Sequence, residues 1–112
     1  MTERVTNSQD YDEEERAHRV LLGRVAHDRD IAAMQSLYDG FRPRLVRFMR
    51  RLTPDIALIE EAYNDVMLIV WNKASQYESR AKVSSWIFTI AYRACLRLVK
   101  RSKRRTDMIH LT

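Results

Sequence analysis

Three groups of side chains in this sequence of 112 residues have the types and spacing to do chemistry. The first is Glu60, Glu61, Asn64 and Asp65, which helical spacing gathers on one face. Carboxylates so placed could ligate a metal or serve as general acid and base, but on a polar helix face they more often form a solvated or partner-facing surface, and no metal role is expected. The second group is basic. From Arg80 to Arg105 there are nine Lys and Arg and no acid, closing in KRSKRR, the footprint of a surface that meets a polyanion. Within it Arg93, Arg97, Lys100, Arg101 and Arg104 are expected to line up along one helix face. The third is the segment YESRAKVSS, Tyr77 to Ser85, which has no helical period and ends in two serines able to cap a following helix. Its Tyr77 is either a packing plug or a stacking surface.

Enzymatic constellations are missing. Two glycines in the whole chain cannot build a phosphate-cradling loop, and there is neither a nucleophile elbow nor an HExxH pair. His18, His27 and His110 stand far apart, and the single cysteine, Cys95, reads as a small buried hydrophobe. No catalytic activity and no cofactor are expected, and a binding module is favoured. The longest apolar run, Val66 to Trp71, is six residues against the roughly 20 of a membrane span, and the N-terminal stretch has no signal-peptide core. A cytoplasmic protein is expected.

The elements that must hold these groups follow from composition and period. Apolar residues make up 46% of the chain and charged ones 31%, which excludes a disordered chain, and 2 Gly with 2 Pro leave too few turn formers for a sandwich or barrel. The fold class is therefore all-α, a compact bundle of three long helices plus a short N-terminal helix. Residues 1–12 read as a flexible leader. A short helix over 13–26 carries Val20, Leu21, Leu22 and Val25. A second, capped by Asp28, spans 29–52 with the stripe Met34, Leu37, Phe41, Leu45, Phe48 and Leu52, and is expected to kink or break briefly at Gly40 and Pro43. A third starts at Thr53–Pro54–Asp55, with Thr53 as cap, and buries Ile56, Ile59, Tyr63, Val66, Val70 and Ala74. Because every position from Val66 to Trp71 is apolar, Met67, Leu68 and Trp71 need cover from a second helix or from another protein. A fourth helix over 85–104 buries Ile87, Ile90, Ala91, Ala94 and Leu98.

These motifs carry a resemblance. IEEAYNDVMLIVWNKASQY resembles regions 2.2 and 2.3 of the bacterial extracytoplasmic-function (ECF) sigma factors, whose helix pattern is AEDxxQExFxxxW: Glu60 and Glu61 fall on the acidic pair, Asn64 on the usual Gln, Asp65 on the following acid, Met67 on the usual Phe and Trp71 on the aromatic. SSWIFTIAYRACLRLVKRSKRR is similar to the region 2.4 pattern TWLxxIAxN with its basic end, and LLGRVAHDRDIAAMQSLYDGFRPRLVRFMRRL looks like region 2.1. Arg93 stands where Asn is common. The likeness covers about residues 20–105, and a sigma region 2 domain over 13–105 is expected, with 106–112 as tail or linker and the family's second helical domain, region 4, absent from these residues.

The resemblance implies a transcription initiation factor domain that binds core RNA polymerase and recognises and helps melt the promoter minus-ten element. Docking on the clamp helices of the polymerase beta-prime subunit would use Glu60, Glu61, Asn64, Asp65, Leu68 and Trp71. Capture of a base flipped from the non-template strand would use the loop, with Tyr77 for stacking, the hydroxyls of Ser79, Ser84 and Ser85 for base edges, and Arg80 and Lys82 for phosphates. Arg93, Arg97, Lys100, Arg101 and Arg104 would track the DNA backbone. An anti-sigma factor is the expected regulator. Two other classes stay open, a different helical DNA-binding regulator and a helical interaction module without a nucleic-acid role; salt-dependent DNA binding separates the last from the rest.

Overall fold

The computed structural model describes residues 8–111 of the chain. Four helices follow one another: α1, Ser8–Asp28; α2, Ile31–Met49; α3, Ile56–Lys73, extended by a single 3-10 turn, Ala74–Gln76; and α4, Val83–Leu111. No strand occurs among the described residues. The all-helical bundle is as expected, with one correction to its make-up: the N-terminal helix has 21 residues and is not short. Its expected start is residue 13, because residues 8–12 carry no apolar period; the helix meets the bundle through the polar Glu15, His18 and Arg19 and the apolar Leu22 and Val25. Residues 8–12 of the expected leader are thus helical, and residues 1–7 lie outside the described residues. Asp10, Asp12, Glu13, Glu14 and Glu15 crowd the N-terminal half, where the helix dipole favours anions.

Because α1 runs on to Asp28, that residue cannot cap α2. The chain reverses at Arg29, which takes a left-handed φ of 50°, and Asp30 becomes the cap, its carboxylate accepting from the Ala33 N–H at 3.1 Å. Helix α2 then passes Pro43 without a break. Pro43 lies on the exposed side; it cannot donate to the Asp39 carbonyl, and the buried Tyr63 hydroxyl donates to the adjacent Tyr38 carbonyl. The buried row of α2 is Ala33, Leu37, Phe41, Leu45 and Met49, all at steps of four, so Met34, Phe48 and Leu52 are only partly covered. Asp55 caps α3 by accepting from Leu58 N–H at 3.2 Å, and Thr53, expected as the cap, instead accepts from the Asp55 N–H. That shift leaves Ile56 65% exposed on the first turn, outside the core it was expected to join. Ile59, Tyr63, Val66, Val70 and Ala74 are buried as expected, joined by Leu58, Ala62 and Met67.

One apolar cluster drawn from all four helices forms the centre, with Val83, Ile87, Ala91, Ala94, Cys95 and Leu98 as the share of α4. Ile90 reaches it only partly. Cys95 is fully buried, and burial pushes its thiol above the ordinary range, so it packs as a small apolar group. From Val99 to His110 no side chain of α4 is buried, and the helix continues through the expected tail to Leu111.

Candidate nucleic-acid and protein-docking surfaces

The outward face of α3 gathers all six residues expected to dock a protein. At 3.6 residues per turn, Glu60, Glu61, Asn64, Asp65, Leu68 and Trp71 occupy less than half of the circumference, opposite the buried Ile59, Tyr63, Val66 and Val70. They are not equivalent. Glu60 forms an ion pair with Arg42 of α2, and that hydrogen bond holds its carboxyl below the usual range. Asn64 Oδ1 accepts from the Tyr38 hydroxyl at 3.1 Å. Leu68 is 59% exposed, whereas Met67, the neighbour that also needed cover, is buried. Trp71 is half-covered: the Arg29 guanidinium lies 3.8 Å above its ring and donates to the Trp71 carbonyl at 2.7 Å. Beside the indole, Ile31, Met34, Gln35 and Tyr38 complete a shallow, largely apolar groove between α2 and α3. An acidic patch and an exposed apolar one therefore adjoin on a single element.

The loop from α3 to α4 is shorter than the sequence suggested. Val83 opens α4, so Ser84 and Ser85 stand in its first turn and neither caps it. The cap comes from 68 residues upstream: the Glu15 carboxylate accepts from the Val83 N–H at 3.0 and 3.2 Å. Glu15 also pairs with Arg19 one turn on, at 2.6 Å, and Arg19 Nη2 donates to the carbonyls of Ser79 at 3.2 Å and Ala81 at 3.4 Å. The Ala81 carbonyl takes a second donor, the Tyr77 hydroxyl. Tyr77 packs its ring against Trp86 at 5.5 Å between centroids, so it closes the loop and is only half exposed. Outward are Glu78, Ser79, Arg80, Ala81 and Lys82, with Arg80 paired to Glu78 at 2.6 Å.

The five basic residues Arg93, Arg97, Lys100, Arg101 and Arg104 of α4 fall within about 100° of its circumference. Arg93, Arg97, Lys100 and Arg104 line a shallow groove with Leu96. Arg101 stands at one edge of that arc, and with Arg105 it lines a cleft whose other wall holds Asp55 and Glu61 of α3. Four of the five expected cations share the groove, and the fifth borders the neighbouring cleft.

Glu15 and Arg19 escaped sequence reasoning altogether. The signal available was an i,i+4 Glu–Arg pair, which ordinarily marks only a helix surface; that its other ends reach a loop sixty residues away is a fact of packing. No cluster of metal-ligating side chains exists among the described residues, and no helix there is long and apolar enough to cross a membrane.

Residues 37–105 match the family Sigma-70 region 2. Over 82 residues the chain is 40% identical to the ECF RNA polymerase sigma factor RpoE of Cereibacter sphaeroides, covering 71% of this chain and 45% of that protein. It is 35% identical over 82 residues to the ECF RNA polymerase sigma factor SigK of Mycobacterium sp. (strain KMS), covering 72% and 42%. The chain spans about half the length of the curated relatives it matches. Among solved structures, the NMR structure of an engineered region 2 of sigmaE in complex with GTAAAA superposes with a TM-score of 0.71 at 18% identity, over 94% of this chain and 97% of that one, which shows a shared fold. With the family match extending over well more than half of its residues, the chain belongs to the Sigma-70 region 2 family.

Proposed function

We propose that the chain serves as the part of an ECF sigma factor that joins promoter DNA to core RNA polymerase and helps open the minus-ten element. The observation that carries this reading is the division of two chemically opposed surfaces between two elements: an acidic and apolar outer face on α3, and a basic face on α4 reached through a short polar loop. A protein partner is served by the first. Leu68 and the uncovered part of Trp71 are its anchors, with Glu61 and Asp65 as charged surroundings and Glu60 and Asn64 partly engaged with α2. The partner is the pair of beta-prime clamp helices. The second surface serves DNA: the loop residues Ser79, Arg80 and Lys82, flanked by Tyr77, Ser84 and Ser85, receive an unstacked base of the non-template strand, and Arg93, Arg97, Lys100 and Arg104 neutralise phosphates. Such work takes place on the chromosome, in the cytoplasm, and an anti-sigma factor would regulate it by covering one of the two surfaces. No step calls for a catalytic group or a cofactor.

The test is binding of the full chain to the isolated clamp helices. Leu68→Ala and Trp71→Ala are each expected to weaken binding by roughly 10- to 100-fold, the range of a truncated interface anchor, with helicity by circular dichroism unchanged. Unchanged affinity in both folded variants would overturn the docking assignment.

A further inference from the structure

We propose that Glu15 and Arg19 of α1 are positioning residues for the loop that reads DNA, so that base preference is set partly by a helix remote from the reading side chains. The inference rests on the promoter reading above and adds to it. Six residues, 77–82, separate the 3-10 turn from α4. Within them the backbone makes a single internal turn bond, Ala81 N–H to the Glu78 carbonyl at 3.4 Å, too little to define the shape of a loop. Side chains supply the remaining definition, and the one that reaches in from another helix is Arg19. Arg19 reaches two alternate carbonyls, Ser79 and Ala81, from one guanidinium, and Tyr77 meets Ala81 from within the loop. Drawing those carbonyls toward α1 leaves the side chains of Glu78, Ser79, Arg80 and Lys82 exposed.

Glu15 acts at both ends of this arrangement. Its carboxylate pairs with Arg19 and so aims the guanidinium, and it holds the first N–H of α4, which fixes where the loop stops and the helix starts. Glu15 is largely withdrawn from solvent, with a side-chain exposure of 14%, and Arg19 retains 39%. A planar guanidinium can fork between one carboxylate and two carbonyls in fixed directions; an ammonium on a flexible stem cannot do so with the same geometry. The pair supports, through the loop backbone, the residues proposed to meet DNA.

The test compares full-length wild type with Arg19→Ala, Arg19→Lys and Glu15→Gln. Each is incubated with a pool of random single-stranded DNA decamers, and the enriched motif and its discrimination at each position are read by sequencing. Circular dichroism checks that each variant is folded. Discrimination at a read base is expected to be roughly 10-fold or more in the wild type. At one or two positions it should fall to within about 2-fold in both Arg19 variants, and partway in Glu15→Gln, while the salt dependence of overall affinity stays as in wild type because the phosphate contacts on α4 are untouched. A purely structural role would lower thermal stability and leave the motif intact. Arg19→Lys keeps the charge and the helix, so an Arg19→Lys protein that folds and enriches the wild-type motif with undiminished discrimination overturns the inference while the promoter reading stands. A wild-type chain that enriches no motif overturns the promoter reading, and the inference falls with it.

Discussion

His18 shows how a single side chain can record the packing of two helices. Its ring lies 4.6 Å from that of Phe41, tilted by 39°, with Glu14, Glu15 and Arg44 around it. Burial lowers its pKa below 6.5, and Arg44 pushes the same way, while Glu14 and Glu15 oppose them. The unfolded chain therefore takes up this proton at higher pH than the folded one. Stability from the neutral ring is complete above pH 6.5 and is lost as pH falls through the folded value. Between about pH 7.5 and 5.5, chosen to stay above the ordinary carboxylate range, the Tm of the wild type should decline relative to that of His18→Phe. Parallel Tm curves for the two proteins would contradict it.

At the scale of the element, α4 divides its cations between a groove and a neighbouring cleft. A side chain that neutralises a phosphate releases a condensed counterion, so each such contact contributes to the salt dependence of DNA binding. Changing Arg97 and Arg104 together to Ala should reduce the slope of log affinity against log salt by about 1.4 to 1.8, from roughly 0.7 to 0.9 per contact. Arg101→Ala, in the cleft it shares with Asp55 and Glu61, should change it by less than one such contact; equal effects from Arg97 and Arg101 measured in salt titrations would make Arg101 an equal phosphate contact. The helix itself was legible from Ile87, Ala91, Ala94 and Leu98, and so was the docking arc of α3, because both rest on period. The misplacements arose where a residue's partner is distant. Ser84 and Ser85 look like caps until Glu15 arrives from α1; Asp28 looks like a cap until α1 is seen to extend through it.

Across the whole molecule, one core cluster with contributions from every helix implies that the bundle melts as a unit. Leu45 is fully buried at the centre of the α2 row. Leu45→Ala should cost about 2–5 kcal/mol, lowering Tm by at least about 8 °C for a domain of this size, with far-ultraviolet and near-ultraviolet circular dichroism tracing the same transition. Separate transitions would mean that α1 or α4 melts on its own. The same bundle places the chain's two tryptophans apart: Trp71 on the proposed docking face under Arg29, Trp86 behind the loop against Tyr77. Each surface consequently owns a natural fluorophore. In a Trp86→Phe protein the remaining indole emission follows events at α3; in a Trp71→Phe protein it follows the loop, with Tyr77 close enough at 5.5 Å to pass its excitation to Trp86. Occupancy of the two surfaces can then be watched separately, in real time and without a label, as light from one ring or the other.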